Sequence, residues 1–309
     1  MRAMMRIHVR GLLLCLLTTP AWAAEYFITD DVEVVGEPRV ITARYEDTFV
    51  APAREHNVGF DSLRRANPDV DPWLPGEGTP VVIPSQFVLP RAPRDGIVVN
   101  VAELRLYYFP DRDGGRVITH PISIGRQDWS TPLGVTTITA KQANPSWYPP
   151  QSIRDEHEAM GDPLPAVVPP GPDNPLGNHS LRLGLPGYLI HGTNKPSGVG
   201  MRVTHGCIRM FPEDIESLFG TVPVGTKVRI VNQPYKLGWG ADGLYLEAHP
   251  PLEEALEAVV HSATALTHLF VAATEKRMTR VAWESAERVL QAARGIPEFV
   301  SEPEPLAAN

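Results

Sequence analysis

Two short stretches hold the side chains best suited to group transfer. His191-Gly192-Thr193-Asn194 precedes Thr204-His205-Gly206-Cys207-Ile208-Arg209-Met210, and the thiol lies sixteen residues after the first imidazole. A thiolate attacks an acyl carbon far faster than a thiol, so a cysteine with a histidine in reach is a candidate nucleophile–base pair. Gly206 lets backbone approach closely where an oxyanion would need amide donors. His205 and Arg209 each lie two residues from Cys207, and on an extended segment that spacing puts side chains on one face. There His205 would line the site or tune the thiolate, and the Arg209 guanidinium would lower the thiol pKa or grip a carboxylate. Thr204 is placed to hydrogen-bond the His-Gly-Cys turn. Plainer alternatives stand beside these: a free cysteine is commonly a small buried hydrophobe, Arg209 can serve a structural ion pair, and Thr204 can be a simple cap. His157 and His179 read as surface or packing histidines.

Other chemistries lack their residues. No Ser or Thr lies three positions before any of the five lysines, so a Ser-x-x-Lys nucleophile is missing. There is no Gly-x-Ser-x-Gly elbow, and His157-Glu158 has no second histidine for a zinc helix. No cysteine pair exists for a thiolate zinc site, and no histidine motif of the papain-like kind follows Cys207.

The His191-Gly192-Thr193 and Thr204-His205-Gly206-Cys207-Ile208-Arg209 elements resemble the signature of the L,D-transpeptidases with a YkuD-type catalytic domain, of the ErfK/YbiS type found in the bacterial periplasm. The similarity runs from the mid-thirties to about residue 250. The resemblance implies that Cys207 attacks the carbonyl preceding the terminal D-residue of a peptidoglycan tetrapeptide stem, with His191 taking the thiol proton. Amides near Gly206 and Cys207 would hold the oxyanion, D-alanine would leave, and the thioester would pass to an amine. The stem carries its own activated bond, so no cofactor and no metal are implied. Two acceptors fit, a lysine of an outer-membrane lipoprotein or the diaminopimelate amine of a second stem. Water as acceptor would make a hydrolase that detaches lipoprotein from peptidoglycan. A glycan-binding scaffold without activity is the reading from a different class.

The elements that must position these residues read as mainly β, an α+β chain. From Gly96 the pattern predicts strands at Ile97–Val101, Leu104–Phe109, Val117–Thr119, Pro121–Gly125 and Thr136–Thr139, with Asp113-Gly114-Gly115 as a hairpin turn. Strands resume at Ser180–Leu185, Tyr188–Ile190 and Lys227–Val231. This spacing suggests an antiparallel sandwich or barrel-like domain over 95–232. Within it, 143–178 breaks the rhythm with Trp147, a helical patch near Ile153–Met160 and many prolines. A loop this long is more often functional than incidental, so it reads as a wall or lid with Trp147 against an extended substrate, or as a structural crossover. A hairpin-like excursion through Pro196-Ser197-Gly198 would bring His191 to Cys207. Pro212–Phe219 reads as a short helix, acidic in its first turn.

Residues 24–40 read as a lead-in, and 41–86 as strand–helix–helix–strand, with Asp47-Thr48 capping the first helix and Asn67-Pro68 ending the second. This unit is similar to a LysM module in Asp47-Thr48, Leu63, Ala66-Asn67-Pro68, Pro75-Gly76 and Val82-Ile83-Pro84. Such modules bind glycans containing N-acetylglucosamine; a small unit with no ligand is the alternative. A Pro-rich hinge follows. From Leu252 to about Arg294 apolar residues recur at helical spacing, predicting a helical extension over 250–296 packed on the catalytic domain or a partner, then a disordered tail, 297–309.

Composition bounds the rest. At 309 residues, 43% hydrophobic and 21% charged, the chain can bury a core and has room for two domains. A net charge of −8 argues against nucleic acid as a partner. Arg2, Arg6 and Arg10, the run Leu12–Leu17 and Ala21-Trp22-Ala23 predict a cleavable signal peptide over 1–23, and hence a periplasmic protein. Lipidation at Cys15 is a poorer fit, because Leu14 stands where a small residue belongs. No other apolar stretch reaches membrane length. Without Cys15 a single thiol remains, either buried or kept for chemistry.

Overall fold

β-Branched and aromatic residues alternating across 96–143 and 179–231 assemble into one curled sheet. The computed structural model describes residues 24–29, 31–111, 115–255 and 263–302. The signal-peptide segment, the Asp113-Gly114 turn and residues 303–309 lie outside them. In chain order the strands and helices are β1 (Ala24–Phe27), β2 (Val34–Gly36), β3 (Arg39–Thr42), α1 (Val50–Glu55), α2 (Phe60–Ala66), β4 (Pro80–Ile83), β5 (Gln86–Val88) and β6 (Gly96–Asn100). Then come β7 (Arg105–Phe109), β8 (Arg116–Pro121), β9 (Ile124–Gly125), β10 (Gly134–Ala143), α3 (Gln151–Ala159), β11 (His179–Leu183), β12 (Leu189–His191), β13 (Arg202–Thr204) and β14 (Ile208–Arg209). The chain continues with α4 (Pro212–Thr221), β15 (Lys227–Val231), β16 (Tyr235–Trp239), β17 (Leu244–Ala248), α5 (Ala263–Lys276), α6 (Trp283–Ala292) and β18 (Glu298–Phe299).

The main sheet has nine strands in the order β1-β8-β7-β6-β15-β10-β11-β12-β14. Its curl comes from β10, which pairs with β15 through Gly134–Thr137 and with β11 through Ile138–Ala143. The register shifts between Ile138 and Ala140, and such a bulge bends a strand and sharpens its twist. The core fills the concave side: Ile97, Leu106, Ile124, Ile138, Leu181, Ile190, Ile208 and Val228 pack there with Ile215 and Leu218 of α4. The domain is mainly β as expected. Most pairs are antiparallel, but β6–β15, β12–β14 and β9–β13 are parallel. Parallel neighbours need a crossover rather than a tight turn. The segment from His191 to Cys207 is therefore a crossover, not a hairpin. The stretch predicted as one strand over Pro121–Gly125 is broken, because Ile122 and Ser123 turn the chain from β8 into β9.

Three boundaries differ from the sequence expectation. Residues 24–40 are more than a lead-in: β1 closes the edge of the main sheet against β8, and β2 pairs with β5. The βααβ unit is present, with β3 and β4 antiparallel and Phe49, Leu63, Val81 and Ile83 in its own core. Its first helix follows Phe49, which makes no side-chain cap; Thr48 Oγ1 accepts the Val50 amide at 3.4 Å, and Asp47 accepts the Arg44 amide at 2.7 Å. At the other end, α5 and α6 do not form a purely helical extension. They pack on a three-stranded sheet, β16-β17-β18, around Leu237, Leu246, Phe270 and Val289. This unit starts at Tyr235 and takes in Glu298–Phe299, so the residues before 303 are not a loose tail. The strands escaped notice because β16 carries a lysine and a glycine, Lys236 and Gly238, at buried positions.

Candidate active site

β12 and β14 run in parallel with Ile190 opposite Ile208 and His191 opposite Arg209. Register partners in a parallel pair point to the same face, and alternate residues point to opposite faces. Ile190 and Ile208 are buried in the core. His191 and Arg209 therefore project from the other face, and Cys207 lies one residue before β14. The paired strands thus place the imidazole and the guanidinium on one side, with the thiol at the entry to β14.

Each group has a defined environment. His191 is buried, and its Nδ1 lies 2.6 Å from the Gly192 carbonyl oxygen. A carbonyl only accepts, so Nδ1 carries the hydrogen and Nε2 keeps its lone pair. Burial, with the Arg209 charge adding to it and the Gly192 carbonyl opposing, lowers the His191 pKa to about 3. Cys207 is half-buried, and its thiol donates to the Gly187 carbonyl at 3.6 Å. Burial pushes this thiol above its ordinary range, and a Leu189 backbone hydrogen bond and the Arg209 charge pull it back only in part. The resting pair is thus a neutral thiol and a neutral imidazole. Arg209 is half-buried, its pKa lowered by burial, and its Nε has no hydrogen-bond partner. Among the described residues it forms no ion pair, and its charge acts on the Cys207 thiol.

The turn carrying Cys207 is clamped from both sides. The Thr204 hydroxyl donates to the Cys207 carbonyl at 2.6 Å, and the Thr131 hydroxyl donates to the Gly206 carbonyl at 2.8 Å. Gly206 has φ +96°, and a Cβ there would stand 2.8 Å from the Tyr188 ring. Both the backbone conformation and the space call for glycine. That positive φ also corrects the expectation for His205. The segment is not extended through Gly206, and His205 turns away to other partners. Its Nε2 lies 3.0 Å from Glu156 Oε2 on α3 and 3.3 Å from Arg126 Nη1, and its ring meets Trp129 edge to face at 5.1 Å between centroids. Arg126 also pairs with Glu156. His205 thus fastens the long 143–178 excursion to the cysteine turn. Trp147 has a different partner: its backbone bridges to Val168 inside that excursion. His157 pairs with Asp162, and His179 packs on Phe219.

Thr131, Trp129, Tyr188, Arg126 and Glu156 complete this site and were missed in the sequence. None sits in a motif, and Arg126, Trp129 and Thr131 follow β9, which pairs with β13 just before the turn.

The described residues hold one group with metal-ligand geometry, Glu103, Glu247 and His249, whose ligand atoms lie within 4.8 Å of one another. The Lys236 ammonium stands among them, 2.7 Å from Glu103 and 3.0 Å from Glu247. The chain's own cation thus takes the place an ion would occupy.

Comparison with known proteins adds to this geometry. Residues 94–230 match the profile of the L,D-transpeptidase catalytic domain, YkuD. The chain is similar to "Probable L,D-transpeptidase YcfS" of Escherichia coli K12, with 50% identity covering 67% of this chain and 66% of that protein. It is similar to "Probable L,D-transpeptidase YbiS" of the same strain, with 45% identity over 72% of this chain and 74% of that one. To "Probable L,D-transpeptidase ErfK/SrfK" of Salmonella typhimurium LT2 it is 39% identical, over 87% of this chain and 88% of the relative.

Proposed function

Because this chain belongs to the L,D-transpeptidases with a YkuD catalytic domain, we propose that it is an exported acyltransferase of the bacterial cell wall, with Cys207 as nucleophile and His191 as base. Cys207 Sγ attacks the carbonyl carbon preceding the terminal D-residue of a tetrapeptide stem as its proton passes to His191 Nε2. The C–N bond then breaks, the proton goes to the leaving amine, and D-alanine departs from a thioester. An amine attacks that thioester, His191 takes its proton, and the thiol is regenerated. The observation that supports this reading is the β12–β14 register, which sets His191 opposite Arg209, two residues from Cys207, with the His191 Nδ1 on the Gly192 carbonyl.

The neutral resting pair fits general-base attack rather than a preformed thiolate–imidazolium pair. Amides of Gly206 and Cys207 are the oxyanion donors in this scheme, supported by the two hydroxyl clamps on that turn. Arg209 grips a stem carboxylate or steadies charge on sulfur, a role its partly buried guanidinium, with Nε unpartnered, suits. Thr204 keeps the turn in shape, His205 ties it to α3, and Trp147 walls the substrate groove. The N-terminal βααβ unit acts as a LysM-type glycan module, holding the enzyme to peptidoglycan. The acceptor is a lipoprotein lysine or a second stem's diaminopimelate amine.

Intact-mass analysis after carbapenem treatment tests the nucleophile. An adduct that is lost in Cys207→Ala is expected; no adduct on the parent protein would favour a glycan-binding scaffold. Muropeptides from purified sacculi, incubated with and without a lipoprotein C-terminal peptide, then identify the acceptor. A joined peptide, a stem–stem bond, or hydrolysed stems alone would each be distinct in mass.

A further inference from the structure

We propose that the N-terminal βααβ unit is a positioning element of the catalytic centre, holding the crossover between His191 and Cys207 in its working conformation. The contact is made by backbone. The amides of Phe60 and Asp61, at the start of α2, donate to the carbonyls of Val199 and Gly200, each at 3.3 Å. Val199 and Gly200 lie within the crossover itself. The two chains touch at facing glycines: a Cβ on Gly59 would sit 2.8 Å from Gly200 Cα, and one on Gly200 would sit 2.2 Å from Gly59 Cα. Gly200 also has φ +90°, so neither the conformation nor the spacing admits a side chain there. Met201, next in the crossover, packs into the unit's own apolar core.

The far side of the same junction is polar, buried at Asn57, Arg105 and Asp214 and exposed at Arg54 and Glu213. Asn57 Nδ2 donates to both Asp214 carboxylate oxygens at 2.9 and 3.0 Å, and Arg105 donates to the Asn57 carbonyl at 3.0 Å. Arg54 makes a two-pronged pair with Glu213, both bonds 2.8 Å. Glu213 and Asp214 are the acidic first turn of α4, which starts three residues after Arg209. The unit therefore grips the catalytic segment at its crossover and again just beyond the nucleophile strand. From the crossover the hold continues to the main sheet, where Ser123 Oγ donates to the Gly198 carbonyl at 2.7 Å. A tether that merely carried a glycan site would need none of these contacts. Small displacements of a catalytic group cost rate steeply, so a bracket on both flanks of Cys207 acts on chemistry, not only on stability.

The test uses the full chain with Gly59→Ala, Asn57→Ala and, as a control, Arg64→Ala, whose side chain pairs with Asp61 on the solvent side of α2. Three quantities are read: the carbapenem acylation rate, the pH profile of Cys207 alkylation by iodoacetamide, and cooperative thermal melting. Gly59→Ala and Asn57→Ala are expected to slow acylation on the order of tenfold or more and to shift the alkylation profile while still melting cooperatively. The control is expected to match the parent. Rates within about twofold of the parent in both variants, with an unmoved profile, would overturn the proposal whatever happens to melting. Should Gly59→Ala not fold, Asn57→Ala and Arg54→Ala decide by the same criterion. The acylation arm rests on the acyl-transfer reading and the alkylation arm does not. A parent that forms no carbapenem adduct would end that reading while the alkylation profiles still decided this one.

Discussion

Burial acts on Cys207 and His191 toward the same end: it disfavours the thiolate on one and the imidazolium on the other. The expected consequence is an alkylation profile for Cys207 that rises above the ordinary thiol midpoint of about 8.5. A midpoint at or below neutral, measured with iodoacetamide, would contradict a neutral resting pair. The same burial couples His191 to stability. Its folded pKa, about 3, lies below the ordinary 6.5, so between these values the unfolded chain binds more protons than the native one. Stability is complete above the upper value and declines as pH falls through the window toward the lower one. His191→Gln, which keeps the ring's volume roughly but cannot be protonated, should flatten that decline; urea midpoints from neutral to acidic pH measure it.

Among the elements, α3 is fastened most narrowly. Of its residues only Ile153 is fully buried, and its charged anchor is Glu156, shared by Arg126 and His205. Arg126, then His205, holds the Glu156 carboxyl below its usual range. These partners are partly exposed, so the contact governs local order more than global stability. Glu156→Ala is expected to speed amide exchange across 151–159 while leaving the melting temperature in place. Unchanged exchange there would show that the proline-rich flanks alone hold the helix. The helix itself was readable from its sequence; its fastening to His205 was not, because Glu156 and His205 are 49 residues apart in the chain.

For the whole molecule, the decisive junction is Lys236, fully buried between Glu103 of the β6–β7 turn and Glu247 of β17, with the Val88 carbonyl 2.7 Å away. Tyr107 and Asn100 complete the shell around Glu103, and His249 pairs with Glu247 at 2.6 Å. This network joins the catalytic sheet, the β5 segment and the C-terminal sheet. Removing one partner of a buried ion pair strands the other, so Lys236→Met should cost about 3–5 kcal/mol in urea unfolding. A loss below about 1 kcal/mol would mean that water already reaches the carboxylates. Sequence reading passed over β16 for the same reason: a lysine in a strand signals a solvent face until its distant partners are known.

Local spacing determined most strands between residues 96 and 231, the two short N-terminal helices, and the histidine and cysteine worth singling out, because period and residue type are properties of neighbours along the chain. Tertiary packing decided which strands run parallel, that His191 stands opposite Arg209, that burial disfavours charge on both imidazole and thiol, and that the N-terminal unit touches the crossover beside them. Those depend on desolvation and on contacts between residues far apart in the chain, which no local pattern records.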